Sequence, residues 1–235
     1  MTVEEVMAEL AGYGRENIKN ILLKHGVKEP FFGVKIQDLK IIEKRVKKDH
    51  ELALGLFKTG NADAMYLAGL IADDKQMTKK DLQAWAEMAV SNNINEYTLP
   101  WVCAASNFGF ELGMEWIDSD KEHIVKAGWS TLGGLTALKP DHELDIDAYR
   151  KLIKRVEETI YTARNLERYS MNSFLIAVGS YVPALTEQAK AAGEKIGVVT
   201  VDMNGTACKV PNVVEYIGKV ESKGKLGKKK KTLKC

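Results

Sequence analysis

The chain has 235 residues, 45% of them apolar and 28% charged, with a formal charge of +2. It contains no apolar run near the ~20 residues of a membrane span, and its acidic start, Met1-Thr2-Val3-Glu4-Glu5, lacks a secretory apolar core. The near-neutral total hides a segregation: of 34 Lys and Arg and 32 Asp and Glu, eight lysines and only Glu221 fall in residues 219–235, leaving 26 bases and 31 acids in the body.

Apolar residues recur at helical spacing almost throughout. Thr2 and Glu5 read as a capping box for a first helix, and Gly12 and Gly14 divide it from a second carrying Ile18, Ile21 and Leu22. Pro30 to Gly33 is a loop. Helices follow at Leu39–Val46, at Leu52–Phe57, from an Asn61 cap through Ala64–Ala72, and from Thr78 with Asp81 through Ala89. Two more segments run from about Asn95 to Asn107 and from Phe108 to Ile117. Ser119 and Glu122 suggest a box before Ile124–Leu138, which Pro140 closes. Asp145 opens Ile146–Ile160, Asn165 opens a helix through Ile176, and Pro183 begins one ending near Gly197. Short loops between such helices suggest an all-α, α-α superhelix of HEAT-like pairs over residues 1–197; periodicity alone leaves a plain helical bundle as the alternative.

The end of the chain reads differently. Val198–Met203 and Thr206–Val210 alternate around Asn204-Gly205, which predicts a small β-hairpin. Asn212 and Glu215 cap a short helix that completes a 198–222 extension. Residues 223–235 read as a disordered basic tail, with Gly224 and Gly227 as flexible points. Lysines beside an acidic body suit a polyanion, or a solvated tail. Three scattered cysteines (Cys103, Cys208, Cys235) and four isolated histidines give no disulfide framework and no metal cluster, so neither a metal nor a cofactor is expected, and a reducing cytoplasm fits.

The segments Glu29-Pro30-Phe31-Phe32-Gly33-Val34-Lys35 and Asp63-Ala64-Met65-Tyr66-Leu67-Ala68-Gly69-Leu70-Ile71-Ala72-Asp73 resemble the DNA alkylation repair protein family, the AlkC/AlkD-like HEAT-repeat proteins, over roughly residues 1–195. The block from Thr206 to Lys230 looks like an extension of one branch of it. The resemblance implies a C-shaped solenoid with duplex DNA on its concave face and, in active members, excision of N3- or N7-alkylated purines. Such a base leaves as a cation, so the chemistry asks only for a carboxylate beside the developing oxocarbenium ion, aromatic faces, and a cation on the backbone phosphate.

In this chain the family's tryptophan-aspartate segment reads Asn93-Ile94-Asn95-Glu96-Tyr97-Thr98-Leu99-Pro100-Trp101, with Thr98 at the aspartate's place and Glu96 as the nearest acid. The family's arginine falls around Lys126-Ala127-Gly128-Trp129, and no arginine lies between Arg45 and Arg150. Glu96 is therefore the catalytic candidate. Tyr97, Trp101, Lys126, Trp129 and Asn172 are candidates for a lesion or DNA groove, and Lys35, Lys44, Lys228, Lys229, Lys230 and Lys231 for phosphate contacts. Each has a plainer reading, as core aromatic, first-turn acid, or solvated charge. The function expected is a DNA-binding HEAT-like protein of the DNA alkylation repair family with double-stranded DNA as partner, with excision of N3- or N7-alkylated purines as a DNA glycosylase as the activity the resemblance would add; a catalytically silent adaptor for a protein partner is the alternative.

Overall fold

Local capping chemistry sets where the helices begin. Thr2 and Glu5 bond each other's backbone N–H groups ahead of α1 (Val3–Tyr13), and Thr78 and Asp81 do the same ahead of α6 (Lys79–Met88). Asn61 accepts from Asp63 and Ala64 N–H at the start of α5 (Ala62–Ile71). The computed structural model describes all residues 1–235. Its other helices are α2 (Glu16–Lys24), α3 (Ile36–Val46), α4 (His50–Lys58), α7 (Leu99–Ala105), α8 (Gly109–Trp116), α9 (Glu122–Leu138), α10 (Ile146–Thr159), α11 (Asn165–Tyr181), α12 (Thr186–Ile196) and α13 (Val213–Ser222).

The helices form two rows. The inner row is α5, α7, α9 and α11; α4, α6, α8, α10 and α12 pack behind it. Burial patterns match these places. Every residue of α5 is buried, including Asp63, whereas α10 buries only the stripe Tyr149, Leu152, Ile153 and Val156. Two large apolar cores result, one mainly over α1 to α8 and one mainly over α9 to α13 with Ala104 and Ile117, beside a small cluster of Val27, Phe31 and Ala62. They adjoin along α9, whose Ile124 and Ala127 join the first and whose Trp129 and Leu132 join the second. This is the all-helical HEAT-like arrangement rather than the plain bundle that periodicity alone also allows.

The two segments that carry the family resemblance meet in space. Asp63 accepts from the backbone N–H groups of Phe32 (2.7 Å), Gly33 (3.0 Å) and Val34 (3.3 Å). Gly33 stands at φ 82°, a left-handed conformation in which a side chain is strained, and this turns three successive N–H groups toward one carboxylate. Phe31 is buried, and the loop is tied down at both ends by backbone bonds from Ala62 to Pro30 O and from Arg15 to Gly33 O.

Several expectations need correction. Ser119 and Glu122 do not form a box: Lys121 precedes α9 without a side-chain cap, and Glu122 instead accepts from Leu166 N–H at the start of α11. Asn165 opens α11 but does not cap it; Arg164 and Glu167 close that end. The β-hairpin is absent. Asn204 and Gly205 make the expected turn, both at positive φ, with Thr206 N–H on Met203 O, but no strand flanks it. The backbone that would pair across a hairpin is bound by the helices instead. Asn165 exchanges two bonds of 2.8 Å with Asp202, Asn172 donates to Pro211 O, Tyr161 donates to Val198 O, and Asn204 donates to Lys24 O. Residues 198–211 are thus a strap that reaches from the last inner helix back to α2.

The tail is not disordered either. Gly227 N–H bonds Ser180 O, Lys230 N–H bonds Ala137 O, and Leu233 packs over Gly134. Lys234 reaches Ala72 O and Asp74, and Cys235 meets Tyr66 and Lys40. The tail therefore runs along the C-terminal ends of α11, α9 and α5, where the helix dipoles favour lysines.

Asp63→Ala leaves three inward-facing N–H groups without an acceptor. It should cost about 3 kcal/mol in urea unfolding, with a smaller loss for Asp63→Asn, which keeps one acceptor oxygen.

Candidate nucleic-acid interface

The centre of the inner row is not regular α-helix. Ile94 to Thr98 make a π turn, with Leu99 N–H reaching back to Ile94 O. Pro100 has no N–H to give to Glu96 O, and its ring crowds that carbonyl, so the wider turn relieves the clash. The turn exposes Tyr97 (45%) and turns Glu96 toward α9. There Lys126 Nζ lies 3.1 Å from Glu96 Oε1 and 2.7 Å from Asn92 Oδ1. The side chain of Lys126 is 2% exposed and that of Glu96 14%, so each is the other's main neutralising charge. Asn92 is fixed in turn, donating to His25 O at 3.1 Å.

Thr98, at the place expected for an aspartate, does not face the groove. It is fully buried, and its Cγ2 fills the space a side chain at Gly69 would take. Gly128, in the segment expected to hold an arginine, lies so close to the end of α8 that a Cβ there would sit 2.8 Å from Ile117 N. Packing at Gly128 has no room for an arginine, and the position of Thr98 is buried away from the groove.

The other candidates separate into two groups. Tyr97 and Trp101 line the inner face, Tyr97 with its ring 6.2 Å from Trp101 and Trp101 edge-on to Tyr66. With Tyr169, Tyr181, Tyr216 and Lys230 they surround a slot of about 410 Å³ between strap and tail. Burial, and then the charge of Glu96, push the Tyr97 hydroxyl up to about 12, and burial raises Tyr169 too, so both stay neutral donors at ordinary pH. Trp129 also borders this slot, but mostly from the core: it is 2% exposed, with Phe174 against one edge and Arg155 over its ring at 5.7 Å. Asn172 is buried as the strap's anchor and reads no groove.

Among the lysines, Lys229 is spent on structure: it bonds Thr136 O, Tyr181 O and Asp141, all within 2.8 Å. Lys35, Lys44, Lys228, Lys230 and Lys231 are exposed and free of ion pairs, Lys230 lying 5.8 Å from the Tyr181 ring centre. Asn92, Asn93, Asn95, Tyr169 and Tyr216 escape the sequence reading. The one available signal is the dense Ser91-Asn92-Asn93-Ile94-Asn95 run after α6, together with Ser173 and Ala177 one and two turns beyond Tyr169, which leave room beside the ring.

A family model described as DNA alkylation repair enzyme matches residues 6–195. The chain belongs to this family. Within reach of the family are the uncharacterized protein Lmo0209 of Listeria monocytogenes, 31% identical over 96% of this chain and all of its own length, and Lin0241 of Listeria innocua, 29% identical over 95% and 99%. A solved structure superposes with a TM-score of 0.91 at 33% identity, covering all of both chains; it is described as belonging to a new family of proteins related to the HEAT-like repeat DNA glycosylases with affinity for branched DNA structures.

Lys126→Met leaves Glu96 without its counter-ion, and Glu96→Gln leaves Lys126 so. Each single change should destabilise by about 3 kcal/mol or more. The double variant Lys126→Met/Glu96→Gln should recover part of that loss in chemical unfolding, the coupling expected of one buried pair.

Proposed function

We propose that this protein binds branched or locally unpaired DNA on its inner face and does not excise alkylated bases. The observation that carries the reading is the buried Lys126–Glu96 pair. It engages the one acid of the π turn, while the neighbouring position expected to hold a carboxylate is a buried threonine. Excision of a cationic base needs a free negative charge beside the sugar, and here the charge is cancelled by an amine at 3.1 Å.

What remains is binding chemistry. Tyr97 and Tyr216, both about half exposed, with Trp101 and Tyr169, give flat faces for unstacked bases. Lys230 lines the slot, and Lys228 and Lys231 lie next to it in the tail, exposed and without ion pairs. The strap and tail narrow the inner face, which favours strands that part at a branch over an uninterrupted duplex. The affinity of the structural neighbour for branched DNA supports the same reading.

Fluorescence anisotropy against a four-way junction and a linear duplex of equal length tests it. The junction should bind tighter. Tyr97→Ala with Tyr216→Ala should weaken junction binding by at least 10-fold, since stacking contributes ~1–3 kcal/mol per base. Lys228→Ala/Lys230→Ala/Lys231→Ala should lower the salt slope by up to about three. Equal affinity for the two DNAs, or an unchanged salt slope, would count against this assignment.

A further inference from the structure

Residues 231–235 are held differently from the rest of the tail. Gly227 and Lys230 bond the body through their backbone N–H groups, and Lys229 sets its ammonium on two helix carbonyls and Asp141. From Lys231 to Cys235 no backbone–backbone bond is made. Leu233 rests on Gly134, Lys234 reaches Ala72 O and Asp74, and Cys235 lies on Tyr66 and Lys40. A segment fastened mainly by side chains opens locally while the stretch before it stays docked.

This segment covers residues that continue the aromatic slot. The Tyr66 ring of α5 lies 5.5 Å from that of Trp101, which is 6.2 Å from that of Tyr97. Tyr66 is 7% exposed, and its hydroxyl has one hydrogen-bond partner, Cys235 Sγ at 3.0 Å. Sulfur is a weak partner for a buried phenol. Burial above all, and then the thiol, hold the Tyr66 hydroxyl well above the ordinary tyrosine range, so it stays an O–H donor. Beside it the ammonium of Lys40 on α3 donates to Cys235 O and lies 3.7 Å from Glu43. Lys44, one turn further along α3, is exposed and free of ion pairs. Two donors from different helices thus converge on the acceptors of one residue. A phosphodiester, which brings charge and acceptor oxygens together, is a stronger partner for both.

We infer that Lys40 and Tyr66 form a backbone-phosphate site at the end of the aromatic slot, and that Leu233–Cys235 occupy it as a self-ligand until a nucleic-acid strand lifts them away. This rests on the DNA-binding reading above and extends it: a strand whose bases stack on Tyr97 and Trp101 brings a following phosphate to Lys40, with Lys44 behind it. The Lys234–Asp74 pair opposes the opening, because lifting the segment leaves a half-buried Asp74 without its ammonium. Lys228 to Lys230 stay in place, held by the bonds of Lys229 and Lys230.

NMR on the isotope-labelled full chain, titrated with a four-way junction, reads the opening. The amide signals of Leu233, Lys234 and Cys235 should move to sharp random-coil positions as the junction saturates, while those of Gly227 and Lys230 keep their dispersion. Leu233→Ser, which weakens the hold without changing charge, should free the same signals before DNA is added. It should also tighten junction binding by up to ~10-fold, the penalty on a site that is about 90% closed. Lys40→Ala should weaken junction binding and lower the salt slope by about one, the share of one phosphate contact, and the gain from Leu233→Ser should shrink in that background. Junction binding with the signals of Leu233–Cys235 unmoved overturns the inference and leaves the DNA-binding reading standing. Weaker or unchanged binding by Leu233→Ser overturns it too, since the segment would then be a fixed wall of the slot. No junction binding by either protein removes the DNA-binding reading and the phosphate site with it.

Discussion

The buried pair of Lys126 and Glu96 is the constraint on which the inner face depends. A charge of either sign at that depth is costly alone, and the two are held 3.1 Å apart by an irregular turn, with Asn92 as the third member. The pair fastens α9 to the π turn, and the π turn in turn carries Tyr97 outward. It also removes the only carboxylate that the turn could present to a DNA sugar. One interaction therefore secures the centre of the solenoid, and under the proposed reading it holds the turn's one acid in a closed ion pair rather than free beside a DNA sugar.

The C-terminal extension makes the second contribution. The strap and the tail lie along opposite ends of the inner helices, one crossing to α2 and the other reaching α3 and α5. Lysines that look like one uniform polyanion-binding run divide by geometry. Lys229 and Lys234 sit on helix C-terminal carbonyls and nearby aspartates, while Lys228, Lys230 and Lys231 face outward. The first pair positions the second group, so the charge segregation of the sequence becomes an ordered edge beside the aromatic slot.

The rows of helices are legible in the sequence because local chemistry fixes them: capping at Thr2, Thr78 and Asn61, and the apolar saturation of α5. Helix ends set by distant partners are not. Glu122 looks like the end of its own helix's cap yet serves α11, because its carboxylate reaches Leu166. The β-alternation of Val198–Val210 is real, but Tyr161, just after α10, and Asn165 and Asn172 of α11 take up backbone groups along the segment, and no strand forms. Of the site, Glu96, Tyr97, Trp101 and Lys126 can be picked out through the family resemblance, and the partnership of Glu96 with Lys126 cannot, since the two lie in different helical repeats. Asn172 misleads because its polarity suggests a groove where packing makes it an anchor, while Trp129 borders the slot with its ring sunk in the core.

The most direct test is release of N7-methylguanine from a methylated duplex by the full chain, at concentrations that saturate DNA binding, against a heat-inactivated control. With Glu96 neutralised by Lys126 and Thr98 buried, the methylated base should stay in the DNA over the whole time course while binding persists. Release above the control that disappears in Glu96→Gln would contradict the assignment of Glu96 to a closed ion pair and would make it a catalytic carboxylate.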